Sequence, residues 1–265
     1  MYLSPMKIRM EVSYLGTEFC GWQIQKHGAQ KSVCQTLVEA LERVLQHRVE
    51  LYASGRTDAG VHALSQQCHF VTSKDENFFK NCDLAWALKA LLPNSISVRR
   101  VWEAPSDFHS TLSAVGKTYK YFIYSHSRSN PFLRPHSHWV RFPLDLELLN
   151  AYSREILGEN DYKSFQSVGT PVAHTVRRIM KAEWKAKSPR VYEFSVTGSG
   201  FLKQMVRNLV GTMLMLEKRR APPSEMRSIL LAMDRKKAGP PAPPEGLFLW
   251  KVYYPRKLDN RCREL

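Results

Sequence analysis

The sequence lacks the features that would mark a membrane protein, a disulfide scaffold or a zinc module. No apolar run approaches the roughly 20 residues needed to span a bilayer. The five cysteines are scattered, odd in number and never form a CxxC pair, so they indicate neither a disulfide framework nor a metal site. The segment MYLSPMKIRMEV has no apolar core of signal-peptide length. We therefore expect a cytoplasmic protein without a membrane partner or bound metal.

Acidic residues are also scarce. The chain has 24 Asp and Glu against 39 Lys and Arg, which gives a formal net charge of +15 and a pI near 9.7. Such an excess of positive charge favours a polyanionic partner. The basic residues are not gathered beside an apolar segment, as they would be in a protein that binds a membrane surface. Nucleic acid is therefore the predicted partner.

In the first half of the chain, hydrophobic periodicity predicts six elements. From Lys7 to Tyr14 polar and apolar residues alternate strictly, which is the period of a half-buried strand. Ser32 and Gln35 form an S-x-x-Q helix start, and apolar residues follow at helical spacing to about His47. The other predicted elements are strands at 49–54 and 67–72, a helix at 78–92 and a strand at 96–103. This β-α-β-β-α-β order is that of a ferredoxin-like unit.

The second half repeats this order with larger additions. The predicted strands are 115–125, 175–185, 191–197 and 247–254, and the predicted helices are 146–157, 201–216 and 224–234. On the 201–216 helix the apolar residues share one face, and the opposite, polar face carries Lys203, Gln204, Arg207 and Asn208. The pattern predicts an α/β (α+β) fold of two related domains, 1–104 and 105–265.

Three short stretches carry candidate chemistry. The loop SGRTDAGVH, between two predicted strands, places Arg56 and Asp58 between glycines, a pattern that by itself is typical of a tight turn. Tyr119 lies in the aromatic and basic strand GKTYKYFIY, and Arg207 lies in FLKQMVRNLVG. Taken singly, Tyr119 is explained as a strand residue and Arg207 as a solvated charge. We interpret His62, beside the loop, as a hydrogen-bonded structural residue.

Together, these stretches resemble the family of tRNA pseudouridine synthase A, the TruA family. The resemblance spans nearly the whole chain and comprises, in order, FCGWQ, GRTDAGVHA, the FH at 108–109, GKTYKYFIY, NPFLR, SFQSVG, FLKQMVRNLVG and EGLFL. It implies two ferredoxin-like domains joined into one extended antiparallel sheet with a basic central cleft. It further implies a homodimer that needs no cofactor and isomerises uridine to pseudouridine at positions 38 to 40 of tRNA.

The resemblance also implies roles for individual residues. Asp58 matches the catalytic aspartate, and Arg207 the arginine that pairs with it, because a nearby guanidinium favours the ionised, nucleophilic carboxylate. Tyr119 matches the tyrosine beside the bound base. Arg56 matches the arginine that helps to extrude the nucleotide. Extrusion costs the stacking energy of the base, so a side chain must fill or brace the vacated space. The further predicted substrate-binding residues are Leu247 of EGLFL and the basic residues Lys117, Lys120, Arg177 and Arg178.

Several alternatives stay open at this level. Asp58 could attack the sugar, attack the base or assist loss of a sugar proton, and Tyr119 could be a stacking platform or a proton acceptor. A tRNA-binding protein without catalysis is one rival. A metal-dependent nuclease with Asp58 as a ligand is another, although such sites gather several carboxylates. The proline-rich connector AGPPAPPEG and the tail from Pro255 onwards are expected not to touch the proposed site.

Overall fold

The computed structural model describes residues 5–25, 30–169 and 172–265. Residues 1–4 belong to the segment in which we found no signal-peptide pattern, and they lie outside these ranges. Packing divides the chain into two compact units, Met1–Val115 with Leu249–Leu265, and Gly116–Phe248. The predicted division, at 104 and with the whole carboxyl end in the second domain, differs from this one. The carboxyl end returns to the first unit, where Leu265 N–H donates to the Val101 carbonyl.

The first unit is built on the predicted β-α-β-β-α-β order, with its second helix in two pieces. Its elements are β1 (Met6–Tyr14), α1 (Val33–Leu45), β2 (Tyr52–Ala53), β3 (His62–Thr72), α2 (Glu76–Asn81), α3 (Leu84–Lys89) and β4 (Ile96–Ala104). The predicted cap is confirmed, since Ser32 Oγ accepts a hydrogen bond from Gln35 N–H. The single helix predicted at 78–92 is wrong, because the Asp83 carboxylate accepts from Trp86 N–H and begins a new helix.

Strand β1 and helix α1 contribute completely buried side chains to the core of the first unit. β1 pairs antiparallel with both β3 and β4. The strand predicted from this alternation is confirmed, and its apolar residues Ile8, Met10 and Val12 are completely buried, but Arg9 on the polar face is buried too. On α1, Leu37 and Leu41 are equally buried, as the helical spacing predicts. Burial of each such side chain contributes roughly 1.5–3 kcal/mol.

The second unit also mixes strands and helices. Its elements are β5 (Gly116–Ser125), β6 (His138–Val140), α4 (Leu146–Arg154), β7 (Gly158–Asp161), β8 (Val176–Ser188), β9 (Val191–Gly198), α5 (Met205–Lys218), α6 (Pro223–Leu231) and the start of β10 (Leu247–Tyr253). The sheet runs β5-β9-β8-β7 with antiparallel neighbours, and β6 lies parallel to β5. The short strands β6 and β7 were not predicted.

Helix α5 differs from its prediction in two respects. It begins at Met205, because Gln204 adopts a left-handed backbone with φ of 58°. Lys203 therefore precedes the helix. Asn208, expected on the polar face, is completely buried, and its side-chain amide donates to the Phe165 carbonyl at 2.8 Å. A hydrogen-bond partner inside the unit thus places a polar residue in the core.

The carboxyl end completes the sheet of the first unit. It forms α7 (Arg256–Asp259) and β11 (Arg263–Glu264), and β11 pairs antiparallel with β4. The Arg263 guanidinium lies 2.7 Å from the Glu103 carboxylate, and that of Arg9 lies 2.6 Å from Asp259. The mixed α/β fold class is confirmed, while the joined sheet and the basic cleft stay predictions. Among the described helices, none is long and apolar enough to cross a membrane.

Candidate active site

The loop between β2 and β3 holds Asp58 by its main chain. Trp22 N–H donates to the Thr57 carbonyl, and Val61 N–H donates to the Asp58 carbonyl, both at 3.1 Å. Thr57 is buried, whereas Asp58 is half-buried and Arg56 is exposed. The backbone on both sides of the candidate nucleophile is therefore fixed, while the candidate side chains Asp58 and Arg56 are partly and largely exposed, respectively.

The FCGWQ segment connects this loop to the start of α1. Gly21 has φ of +103°, and a Cβ there would lie 2.7 Å from the Thr57 carbonyl oxygen, so only glycine fits. The carbonyls of Gly21 and Trp22 accept hydrogen bonds from Val33 and Cys34 N–H at 3.0 and 3.1 Å. Both N–H groups lie in the first turn of α1, where backbone N–H groups have no acceptor within the helix. The segment therefore satisfies the helix start and the loop together.

Buried polar side chains support the loop from below. The Tyr14 hydroxyl lies 2.8 Å from Thr57 Oγ1. Ser54 Oγ donates to Gln66 Oε1 at 2.7 Å, and Gln66 Nε2 donates to the Gly55 carbonyl at 2.8 Å. Such satisfied networks rigidify the groups they join. Sequence reasoning missed these supporting residues, because their polarity gives no periodic signal.

His62 fits the structural interpretation given from its sequence position. The side chain is completely buried. Its Nδ1 accepts a hydrogen bond from Gly16 N–H at 3.0 Å. The imidazole therefore fastens the start of β3 to the segment after β1.

In the second unit, Tyr119 belongs to a cluster of aromatic and basic side chains. Its buried ring meets the ring of Phe201 edge-on, with 5.0 Å between ring centres. Lys117 is two residues earlier on β5 and so shares the Tyr119 face of the strand. Burial, together with the nearby Arg177 charge, lowers the pKa of Lys117 from 10.5 to about 8. Phe201 was missed as a site residue because the FLKQ sequence was assigned to a helix.

Two of the predicted RNA contacts, Lys120 and Arg178, do not share the face of Tyr119 and Arg177. Lys120 follows Tyr119 and points to the opposite face of β5, where its ammonium lies 3.0 Å from the buried Glu193 carboxylate. Lys120 is therefore ion-paired within its own unit, which differs from its predicted contact with the RNA backbone. Arg178 is exposed and alternates with Arg177 along β8. Leu247 is buried at the start of β10.

The proline-rich connector, residues 238–246, is hydrogen-bonded to Arg207. Its Nε donates to the Ala242 carbonyl at 2.7 Å, and Ala242 N–H donates to the Arg207 carbonyl at 2.9 Å. The Tyr121 hydroxyl donates to the neighbouring Pro243 carbonyl at 2.8 Å. The expectation that the connector does not touch the site residues is therefore wrong. Arg207 is half-buried and hydrogen-bonded, which differs from a solvated charge.

A glycine on α5 allows the connector to lie against the helix. A Cβ at Gly211 would be 1.8 Å from the Pro240 carbonyl oxygen, a separation that no side chain permits. At the next residue of α5, Thr212 Oγ1 accepts a hydrogen bond from Gly239 N–H at 2.9 Å. The position of the Arg207 side chain therefore depends on close packing between α5 and a segment that follows it in the chain.

The candidate residues are divided between the two units. Asp58 and Arg56 belong to the first, and all the other predicted site residues belong to the second. Within the described ranges, no group of three or more His, Cys, Asp or Glu side chains could hold a metal ion.

Known proteins resemble the chain over almost its entire length. A family model described as tRNA pseudouridine synthase matches residues 10–111 and 153–255. A tRNA pseudouridine synthase A of Bdellovibrio bacteriovorus is 56% identical over 259 residues, which cover 98% of this chain and 99% of the relative. The corresponding protein of Geobacillus kaustophilus is 40% identical over 251 residues, 94% of each chain. Identity at this level, across both units, shows that the chain belongs to the tRNA pseudouridine synthase family, a family of isomerases.

Proposed function

We propose that the enzyme acts at positions 38 to 40 in the anticodon stem-loop of tRNA and that Asp58 carries the reaction. The observation that supports this role is the fixed main chain on both sides of Asp58, which leaves its carboxylate half-buried. Preorganisation of this kind favours reaction because little reordering is needed in the transition state. The positions rest on the motif resemblance.

The proposed chemistry breaks the bond from ribose to the uracil nitrogen, turns the base and rejoins it through carbon. That carbon loses its proton, and the freed nitrogen gains one. The enzyme needs no outside reagent for this isomerisation. The target base must first leave its stack, which costs a few kcal/mol. Arg56, exposed and two residues from Asp58, braces the vacated space in this proposal. Asp58 attacks the sugar or the base, or assists loss of a sugar proton.

Tyr119 and Arg207 complete the proposed catalytic set. In this proposal Arg207 supplies the positive charge that pairs with the Asp58 carboxylate. Its guanidinium is already oriented by the Ala242 carbonyl, which lowers the entropy lost on further contacts. Tyr119 presents an aromatic ring held by Phe201 and acts as a platform for the base or as a proton acceptor.

We further propose a cytoplasmic homodimer in which one tRNA touches both subunits. A unit with strands of about ten residues extends only roughly 33 Å along a strand, which is shorter than a tRNA. A two-fold partner repeats the same basic surface at a fixed distance. Light scattering at working concentration tests this state, and an active monomer contradicts it.

The decisive experiment compares Asp58→Asn with Asp107→Asn on unmodified tRNA. Asp107 is an exposed carboxylate of the same unit, paired with Arg261. We expect carbodiimide mapping to show that Asp58→Asn loses turnover by roughly 10⁴-fold or more, with folding and tRNA affinity retained, and that Asp107→Asn is unaffected. Binding without product by the wild-type enzyme supports the non-catalytic rival. RNA cleavage that a chelator stops supports the nuclease.

A further inference from the structure

The second unit carries a basic and aromatic segment to which no role has been given. Residues 126–141, HSRSNPFLRPHSHWVR, contain three arginines and three histidines and no Asp or Glu. The segment leaves the end of β5 and returns beside it as β6. Its NPFLR motif contributed to the resemblance only.

Both ends of the 126–141 segment are tied to the sheet. His126 N–H donates to the Val140 carbonyl at 3.0 Å. The indole N–H of Trp139 donates to the His126 carbonyl at 2.8 Å. Trp139 also lies opposite Tyr124 in the parallel pairing of β5 and β6. The indole is therefore held in one place.

Two arginines converge on this indole. The guanidinium carbon of Arg141 lies 4.8 Å from the ring centre, and that of Arg134 lies 5.7 Å away. Both arginines are exposed, and within the described part of the chain neither forms an ion pair with a carboxylate. Cation–π contacts orient the two groups without neutralising them. An anion with several acceptor oxygens complements such a pair.

An exposed aromatic ring stands beside these arginines in the sequence. Phe132 is 86% exposed. Its backbone is nevertheless fixed, because Asn130 Oδ1 accepts from Phe132 N–H at 3.0 Å and the Asn130 carbonyl accepts from Leu133 and Arg134 N–H. A ring presented to solvent on a fixed turn is a platform on which a base can stack.

We propose that the 126–141 segment is an RNA-docking surface, in which Arg134 and Arg141 hold backbone phosphates and Phe132 stacks on an unpaired base. The inference rests on the proposed function in taking tRNA as the RNA. Exposed guanidinium groups that form no ion pair within the described residues fit a phosphate backbone, and a single exposed ring is too little apolar surface for a membrane. A protein partner is the competing occupant.

The first test removes the charges. Arg134→Gln with Arg141→Gln is compared with Arg154→Gln and Lys218→Gln, two exposed cations on α4 and α5 of the same unit. Filter binding of an unmodified tRNA transcript is measured across a salt series. We expect the first pair to weaken binding about tenfold at low salt. It should also reduce the steepness of log affinity against log salt concentration by roughly one to two, whereas the control pair should change that slope by less than about 0.5.

The second test removes the ring. Phe132→Ala is expected to weaken tRNA binding about fivefold or more at every salt concentration, with an unchanged slope, because stacking involves no counterion release. Thermal melting checks that the variants remain folded. Affinity and slope equal to the control in all variants overturn the proposal, and this is the result expected if the segment docks a protein.

The same preparations separate this inference from the proposed function. Pseudouridine formation at positions 38 to 40 is mapped for the wild-type enzyme alongside the binding series. Loss of binding in the variants, with no pseudouridine at those positions in the wild type, sustains the docking surface and overturns the proposed positions. Normal pseudouridine formation by the wild type, with unaltered binding in the variants, sustains the proposed positions and overturns the docking surface.

Discussion

The loop that carries Asp58 and the helix that carries Arg207 are stabilised in different ways. Around Asp58 the hydrogen bonds hold the main chain, through Trp22 and Val61 N–H groups. In the second unit the hydrogen bond involves the candidate side chain, because Arg207 Nε donates to the Ala242 carbonyl. Asp58 is thus positioned by a loop with its own supports, whereas Arg207 is positioned by a connector that must dock on α5.

The largest effect expected from this difference is at Arg207 itself. Arg207→Ala should lower kcat by roughly 10² to 10³, the usual cost of one electrostatic group in a transition state. Lys203→Ala is the matched control, because the Lys203 ammonium is exposed and donates to the exposed Val168 carbonyl. Its loss should be less than about threefold. Single-turnover rates check both, and equal, mild losses reduce Arg207 to a general surface charge.

The two glycines that allow these supports offer a direct comparison. Gly211→Ala places a Cβ 1.8 Å from the Pro240 carbonyl oxygen, and Gly21→Ala places one 2.7 Å from that of Thr57. We expect each to lower the free energy of unfolding by roughly 1–3 kcal/mol and to lower kcat through a displaced connector or loop. Urea unfolding and rate measurements check this.

Gly158→Ala is the control for backbone strain alone. Gly158 has φ of +87°, but nothing lies within 4 Å of an added Cβ. We expect a loss of about 1–2 kcal/mol in unfolding free energy and no change in kcat. A kcat for Gly211→Ala as high as that of Gly158→Ala contradicts the role assigned to the connector.

The Lys117 cluster predicts a pH dependence. The pKa of Lys117 is lowered from 10.5 to about 8, so the lysine loses its charge as the pH rises through 8, and tRNA binding should weaken there by several-fold. Between pH 8 and 10.5 the unfolded chain binds more protons at this site, so the free energy of unfolding gains a contribution that rises with pH. Lys117→Met should remove this contribution, and Lys117→Arg should keep binding constant to higher pH.

The smallest effect expected is at the buried support of the Asp58 loop. Tyr14→Phe removes a hydroxyl that lies 2.8 Å from Thr57 Oγ1, and should cost about 1 kcal/mol of unfolding free energy and a few-fold in kcat. Tyr52→Phe is the control, because that exposed hydroxyl donates to Glu50 at the surface. Equal stability of the two variants argues against a buried network under the loop.

Much of the fold was predictable because its signals are local. The strand β1, predicted from strict alternation, and the Ser32 cap of α1 involve neighbours within four residues, and both are found as predicted. The same is true of the tight loop that presents Asp58. The break before α3 was missed although Asp83 is a good helix start, because apolar spacing on both sides favoured one continuous helix.

By itself, the sequence determined the order of the longer strands and helices, the family and the identity of the candidate residues. Only the tertiary structure decided that Asn208 is buried, that Lys120 pairs with Glu193, that the connector is hydrogen-bonded to Arg207 and that the tail completes the first sheet. Each of these contacts joins residues more than 30 positions apart. Their partners depend on which segments fold against each other. Hydrophobic periodicity reports only local structure, so it does not predict which distant segments come into contact.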